Sequence, residues 1–235
     1  MDKKIVLSAD IIASTSLSDG EKSILQAGLQ ELLQLIENKF VVFARIIKGD
    51  YLEMVIENPE DGLTIMLAIK SFVKTIVIND DNERNYRFKS FKNHGIRIAM
   101  GFGELSRYDK INGVIDGAAI YFSGRKISEE RTTYNRERIV IKNTLFFVSD
   151  DERLNESLNV QLGLIDVLIG NSTAKQCKVL FYKLMGLTED GIAKKLDVKQ
   201  PSINKHSTSL GWNAIEKSIY YFKLVIKNHY LCSNS

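Results

Sequence analysis

The sequence is poor in cysteine and proline, and it has no long apolar run. Cys177 and Cys232 are the two cysteines among 235 residues. They lack the close spacing of zinc ligands, and unpaired thiols are typical of the cytoplasm. No stretch reaches the ~18 consecutive apolar residues of a membrane-spanning helix, and the apolar run before Asp10 is too short for a signal peptide. We therefore expect a cytoplasmic protein with no membrane segment and no structural zinc.

Net charge is unevenly distributed along the chain. The whole sequence has 32 Lys and Arg against 29 Asp and Glu. Residues 174–235 contain ten lysines, no arginine and four acids, a net charge of +6, which leaves −3 for residues 1–173. A basic segment attached to a mildly acidic body predicts a polyanionic partner. A solvated lysine-rich surface is the alternative interpretation.

Apolar periodicity predicts an α+β fold for residues 1–149. Ser18 followed by Glu21 is typical of a capping box. The predicted order is β-α-β-β-α-β-α-β, which is the ferredoxin-like strand-helix-strand-strand-helix-strand plan with an added helix and strand. The strands are expected at 3–10, in a hairpin over 40–58, at 94–105 and at 137–149, the helices at 18–36, 59–76 and 116–132, and a polar loop at 79–93.

The patterns after residue 149 are all helical. Residues 150–172 are predicted to form a connecting helix, and residues 173–235 a small all-α domain. This change of composition predicts a domain boundary near residue 170.

Two acids follow predicted strands and are expected to lie close together. Asp10 ends the first strand, and Asp50 follows Gly49 in the turn of the next hairpin, which is the neighbour of that strand in a ferredoxin-like sheet. Two adjacent carboxylates repel unless a cation or proton lies between them. Mg²⁺ or Mn²⁺ held by two carboxylates and substrate phosphates is a common solution. The alternative is that Asp10 caps a loop and Asp50 only forms a turn.

The chain after Asp10 enters a helix through residues 14–18, whose backbone amides favour a phosphate. Gly101 and Gly103 either admit a ligand or mark a strand bulge. Arg131 belongs to an arginine cluster that we interpret as a solvated surface.

Residues 187–212 have the spacing of a helix-turn-helix. Thr188 is a helix cap, Ile192 and Ala193 face inward, and Pro201 starts the second helix. Glutamine and asparagine pair with adenine edges, and lysine binds guanine or phosphate. The predicted contacts with double-stranded DNA are Lys199, Gln200, Ser202, Asn204, Lys205 and Ser207. Contact with another protein is the alternative.

Four segments in order, "SADIIAST", "KGDYLEMV", "IRIAMGFGEL" and "DGAAIYFSGRKI", resemble the motif series of the class III nucleotidyl cyclase catalytic domain, a palm-like fold. They more closely resemble the SatD family, in which a C-terminal helix-turn-helix is attached. The tail is also similar to the DNA-binding region of sigma factors. The resemblance covers roughly residues 3–215.

The cyclase resemblance implies roles for particular residues. It makes Asp10, Asp50 and the Ile11 carbonyl metal ligands. Arg125 falls at the transition-state arginine, and Tyr121 stands where cyclases usually have asparagine. Asp116 lies in a stretch that replaces the cyclase base-reading segment, and Ile46 stands where adenylate-preferring cyclases have lysine. The implied nucleotide-binding residues are Ser14, Thr15, Arg45, Lys48, Gly49 and Asp116.

These observations predict a cytoplasmic bacterial regulator. Its palm-like domain would bind a nucleotide and a divalent cation, its tail would bind DNA, and the resemblance implies a homodimer. The first alternative is a Mg²⁺- or Mn²⁺-dependent nucleotidyl cyclase that makes a signalling nucleotide. The second is a catalytically inactive adaptor.

Overall fold

The computed structural model describes residues 3–14, 17–47, 49–78, 91–136 and 143–232. Thr15, Lys48, most of the predicted polar loop and residues 137–142 of the predicted last strand lie outside this range. The strands are β1 (Lys3–Ile11), β2 (Val42–Ile47), β3 (Tyr51–Ile56), β4 (Ile96–Asp109), β5 (Val114–Gly117) and β6 (Leu145–Val148). The helices are α1 (Asp19–Glu37), α2 (Gly62–Val73), α3 (Ala118–Arg136), α4 (Glu152–Gly170), α5 (Ala174–Leu184), α6 (Glu189–Leu196), α7 (Gln200–Leu210) and α8 (Trp212–Cys232).

The strands form a mixed sheet in the order β2-β3-β1-β4-β5, with antiparallel neighbours. Strand β6 pairs in parallel with β4. The predicted α+β class and the predicted order of the first six elements are present. Strand β5 was not predicted, because β4 continues to Asp109, whose side chain accepts hydrogen bonds from the amides of Ile111 and Asn112 and turns the chain back into a hairpin.

Helices α1 and α2 cover one face of the sheet. The side chains that alternate along β1 toward this face, Ile5, Leu7, Ala9 and Ile11, are buried in the main core. Helix α1 begins with the predicted capping box, because the Ser18 amide donates to Glu21 Oε2 at 2.6 Å and Ser18 Oγ accepts from the Glu21 amide.

Helix α3 packs on the opposite face, and two glycines of β4 allow its close approach. A Cβ atom at Gly101 would lie 2.0 Å from the Ala119 carbonyl oxygen, and one at Gly103 would lie 3.1 Å from Ala118 Cβ. The buried hydroxyls of Ser8 and Ser123 also meet at 2.8 Å. The two glycines therefore admit a helix of the same chain.

The helices after residue 149 share the core of the sheet. Leu180 and Phe181 of α5 and Phe222 of α8 are buried in the same hydrophobic cluster as the strands. Helices α6 and α7 pack through Ile192, Ala193 and Ile203, and Asp197 between them has φ 52°. The domain boundaries at 149 and 173 stay predictions. Among the described helices, none has the length and apolar character needed to cross a bilayer.

Candidate functional site

The structure brings Asp10, at the C-terminal end of β1, and Asp50, just before β3, to the same end of two neighbouring strands. Asp10 lies opposite Tyr51, the residue after Asp50, in the β1–β3 register. The Ile11 amide donates to the Asp50 carbonyl at 3.1 Å, and Ser14 Oγ donates to Asp50 Oδ2 at 2.6 Å. We call Asp10, Asp50 and Ser14 the acid-pair site.

Two tight turns set the positions of these side chains. After β1 the Ile12 amide donates to the Gly95 carbonyl at 3.0 Å, and Ala13 has φ 58°. A left-handed backbone at a residue other than glycine costs energy and is often found at functional sites. Gly49, with φ 81°, forms the β2–β3 turn that places Asp50. The chain therefore bends back at Ala13 and brings Ser14 against Asp50.

Asp10 is a buried carboxylate with incomplete hydrogen bonding. It is 8% exposed, and its Oδ2 lies 3.4 Å from Arg97 Nη1. Its Oδ1 has no hydrogen-bond partner in the part of the chain that the structure describes. Burial raises the pKa of Asp10, and Asp50 also raises it, whereas Arg97 and Arg131 lower it. A buried acceptor without a donor costs free energy. Binding of an ion or ligand that supplies the missing partner is therefore favoured.

The residues of the acid-pair site have the chemistry to bind a divalent cation. Mg²⁺ commonly binds one or two carboxylates together with substrate phosphates. Asp10 and Asp50 supply two carboxylates, and one buried oxygen of Asp10 has no hydrogen-bond partner in the described part of the chain. The Ile11 carbonyl is the third candidate ligand. The described residues include no group of three or more His, Cys, Asp or Glu with metal-site geometry. A cation held by these residues would take its remaining ligands from phosphate oxygens or water.

Two arginines beside the acids were not predicted as site residues. Arg97 is 3% exposed and lies directly opposite Asp10 in the β1–β4 register. Ile96 and Ile98 are buried in the main core, so Arg97 between them points to the opposite face of the sheet. This alternation is the sequence signal for its position. Arg131 is exposed but is close enough to Asp10 to lower its pKa. Positive charge beside an acid pair suits the phosphates of a metal-bound nucleotide.

The start of α1 is less suited to phosphate than the sequence indicated. The Ser18 amide is already bonded to Glu21, and the first turn contains the acidic residues Asp19 and Glu21. Negative side chains satisfy the positive end of the helix and repel an anion.

Other implied nucleotide-binding residues lie in different surroundings. Arg45 donates through Nε to Glu53 at 2.7 Å and through Nη1 to the Gly113 carbonyl. Gly49 is exposed in its turn. Asp116 is exposed on β5 and pairs in register with Arg107. Arg107 lies ten positions after Arg97 on β4, about 33 Å along the strand at about 3.3 Å per residue. One chain therefore does not bring Asp116 to the acid pair.

Tyr121 and Arg125 lie on the outer side of α3. Tyr121 is 59% exposed, and Arg125 donates to Tyr121 Oη at 3.1 Å and to Glu129 Oε1 at 2.8 Å. The opposite side of the helix, with Ser123 and Ile127, is buried against the sheet. The structure therefore does not place Tyr121 and Arg125 with the acid pair of the same chain.

The predicted DNA-reading helix is α7. Lys199 at its N-cap, together with Gln200, Ser202, Asn204 and Lys205, is exposed. Ser207 is 3% exposed and packs inward, so it is not available to DNA.

Glu189 holds two of these α7 side chains, a role that the sequence did not reveal. It accepts a hydrogen bond from Gln200 Nε2 at 2.7 Å and one from Asn204 Nδ2 at 3.4 Å. It also pairs with Lys183 at 2.9 Å. These contacts hold α7 against the start of α6.

No protein-family model matches the chain, and no curated protein matches it significantly. Among solved structures, a bacterial light-regulated adenylyl cyclase aligns with 14% identity and a TM-score of 0.43, over 62% of this chain and 75% of that chain. A second structure described in the same words aligns with 16% identity and a TM-score of 0.42, over 62% and 43% of the two chains.

The guanylyl cyclase Cya2 aligns with 14% identity and a TM-score of 0.36, over 55% of this chain and 73% of that chain. Identities and scores this low do not assign a function. The resemblance to the SatD family stays a prediction.

Proposed function

We propose that the sheet binds a nucleoside triphosphate, or a derivative of one, together with Mg²⁺ or Mn²⁺ at the acid-pair site. The observation that supports this proposal is the buried Oδ1 of Asp10, which has no hydrogen-bond partner among the described residues and lies beside a second carboxylate. A cation between Asp10 and Asp50 removes their repulsion and supplies the missing partner. The bound cation would also neutralise phosphate charge.

Each residue of the site has a proposed task. Asp10, Asp50 and the Ile11 carbonyl hold the cation. Ser14 orients Asp50 through its hydrogen bond to Oδ2. Arg97 and Arg131 place positive charge where phosphate oxygens would arrive. Thr15 and Lys48 are further proposed contacts with the nucleotide.

Binding is tested by thermal shift with each nucleoside triphosphate, with and without Mn²⁺. Ligand at 100 times its dissociation constant stabilises the folded state by about 2.7 kcal/mol, so a rise in Tm is expected only when both are present. Asp10→Asn and Asp50→Asn should abolish the rise. Asp19→Asn is the matched control, because the Asp19 side chain is fully exposed on α1. A rise that needs no Mn²⁺ and survives Asp10→Asn would contradict the cation site.

The second candidate function is cyclisation of the bound nucleotide. In that reaction the ribose 3′-hydroxyl attacks the α-phosphate, pyrophosphate leaves, and a cation such as an arginine stabilises the charge of the transition state. Arg125 is exposed on the outer side of α3, so it would have to act on a nucleotide held by a second copy of the chain.

Turnover is tested by mixing variants. Asp50→Asn and Arg125→Ala should each form no product alone, and their mixture should regain part of the activity if a site is shared between two copies. Product from Asp50→Asn alone would contradict this candidate. Nucleotide binding without any product in the wild type would leave the binding proposal intact.

We also propose that the basic tail binds double-stranded DNA through α7. The net charge of +6 over residues 174–235 and the exposure of Lys199 and Lys205 support it. Affinity in a gel shift should fall steeply as salt rises, because phosphate contacts release counterions. Lys199→Ala with Lys205→Ala should weaken binding, and no binding by the wild type at low salt would refute the proposal.

A further inference from the structure

Helix α4 is apolar on two sides. Its inner side contributes Leu158, Leu162 and Ile165 to the main core. Its solvent side exposes Val160 (68%), Leu164 (67%), Val167 (56%) and Leu168 (37%). This second set follows the i, i+4, i+7, i+8 spacing of a single helix face. A surface helix needs one apolar side to join a core, and the second side of α4 has no partner among the residues that the structure describes.

Helix α8 lies antiparallel beside α4 along its whole length. His229 pairs with Asp151 at 3.6 Å, Gln161 Nε2 donates to the Ser218 carbonyl at 3.3 Å, and a Cβ at Gly211 would lie 3.6 Å from Leu168 Cδ1. In helical projection, the exposed apolar residues of α8 fall on the same outer side as those of α4. The apolar outer face consists of Val160, Leu164, Val167, Leu168, Tyr220, Tyr221 and Leu224.

The apolar outer face differs from the other exposed apolar residues of the protein. Val41, Val77 and Ile111 are exposed singly at turns or strand ends, which is normal for protein surfaces. A contiguous patch over two packed helices marks an interaction site. The outer sides of the two helices, each about 28 Å long and about 10 Å wide, together cover roughly 600 Å². This area is close to the ~800 Å² per partner of a standard interface.

The charges at the rim of this face match a second copy of the chain. The exposed ionic groups of α4 are Glu152, Arg153 and Glu156, with a net charge of −1. Those of α8 are Glu216, Lys217 and Lys227, with a net charge of +1, and Lys223 pairs instead with Asp61. A two-fold axis that lies in the plane of the face and parallel to the two helices would place α4 of one copy over α8 of the other. Each acidic helix then meets a basic one.

We propose that two copies of this chain associate through the apolar outer face and form a four-helix layer from α4 and α8 of each copy. This interface is independent of the nucleotide site. It would hold two α7 helices in one particle.

Sedimentation equilibrium over a concentration series tests the proposal. The full chain should be a dimer, and Leu164→Glu should raise the dimer dissociation constant on the order of 100-fold, because a charge is then buried in an apolar interface. Leu164 is 67% exposed, so the Tm of the variant should stay near that of the wild type. Ile111→Glu is the control, since Ile111 is 96% exposed in a distant turn, and it should leave the dimer intact.

The arrangement of α4 over α8 is tested by charge reversal. In the antiparallel register of the two helices, Glu152 of one copy lies level with Lys227 of the other. Glu152→Lys should therefore weaken the dimer, and Lys227→Glu added to it should restore part of the affinity. A wild type that stays monomeric at tens of micromolar would overturn the proposal. So would a dimer that is unaffected by Leu164→Glu, because another surface would then hold it together.

Discussion

Asp10 and Asp166 are both buried carboxylates, but they differ in how many hydrogen-bond and ion-pair partners they have. Asp166 accepts hydrogen bonds from the Thr144 amide and from Thr144 Oγ1 at 2.7 and 2.9 Å. It also pairs with Lys70 Nζ at 3.4 Å. Asp10 has one ion pair, with Arg97, and an oxygen that has no hydrogen-bond partner in the described chain. One carboxylate is saturated with partners and the other is not.

The saturated carboxylate joins distant parts of the fold. Lys70 is fully buried and donates to the carbonyls of His94 at 2.6 Å and Ile96 at 2.9 Å, and to Thr144 Oγ1. Together with Asp166 this connects α2, β4, the start of β6 and α4. The comparison teaches that burial alone does not mark a functional acid. A buried acid with an open oxygen is the better candidate for a binding site, because it gains most from a ligand.

Breaking the Lys70–Asp166 pair should have the largest effect on stability. Lys70→Met leaves a buried charge without a counter-charge and should lower the free energy of unfolding by about 3–5 kcal/mol. Urea unfolding measures this loss. Asp166→Asn added to Lys70→Met should recover part of it, because the neutral amide needs no counter-charge. A loss below about 1 kcal/mol for Lys70→Met would show that the pair is not structural.

The unsaturated carboxylate should behave in the opposite way. Asp10→Asn removes a charge whose burial is unfavourable, but it also removes the counter-charge of the buried Arg97 while keeping an acceptor for it. These two effects oppose each other, so the free energy of unfolding should change by less than about 1 kcal/mol. The Mn²⁺-dependent nucleotide shift should nevertheless disappear. A loss of several kcal/mol would place Asp10 with Asp166 among the structural acids.

Local patterns in the sequence predicted much of the fold and the closeness of two residues in the candidate site. The capping box at Ser18, the strand ending at Asp10 and the turn at Gly49 depend on residues close in sequence, and the ferredoxin-like order then gives Asp10 and Asp50 as neighbours. The partnership of Lys70 with Asp166 depends on how distant helices pack. A lysine between apolar residues gives no sign of which carboxylate it meets.

The same limit applies to Arg97 and Glu189. Arg97 meets Asp10 only through the β1–β4 register, and Glu189 meets Gln200 only after α6 and α7 have packed. Strand β5 was missed because its hairpin depends on the Asp109 side chain accepting two amides. Long-range pairing, which periodicity does not encode, accounts for the omission of Arg97 and Glu189, whereas β5 depends on a local side-chain turn at Asp109 that periodicity does not encode either.

The pH dependence of stability sharpens the description of Asp10. Its pKa in the folded protein is raised above 3.8, mainly by burial, so the folded state holds the proton more tightly than the unfolded state. The contribution of Asp10 to stability is therefore fully present below pH 3.8 and is lost as pH rises through the folded pKa. Urea unfolding from pH 4 to 7 should show wild type losing stability relative to Asp10→Asn. A constant difference across this range would refute the shift.

The smallest effect is expected at Arg125, which is exposed and far from either buried acid. Its guanidinium contacts Tyr121 and Glu129 on the same helix. Arg125→Ala should leave the Tm unchanged, because exposed ion pairs contribute little. It should also preserve the Mn²⁺-dependent nucleotide shift, since a group that acts on transition-state charge is not needed for ground-state binding. Loss of that shift would instead place Arg125 among the residues that hold the nucleotide, and only a second copy could bring it there.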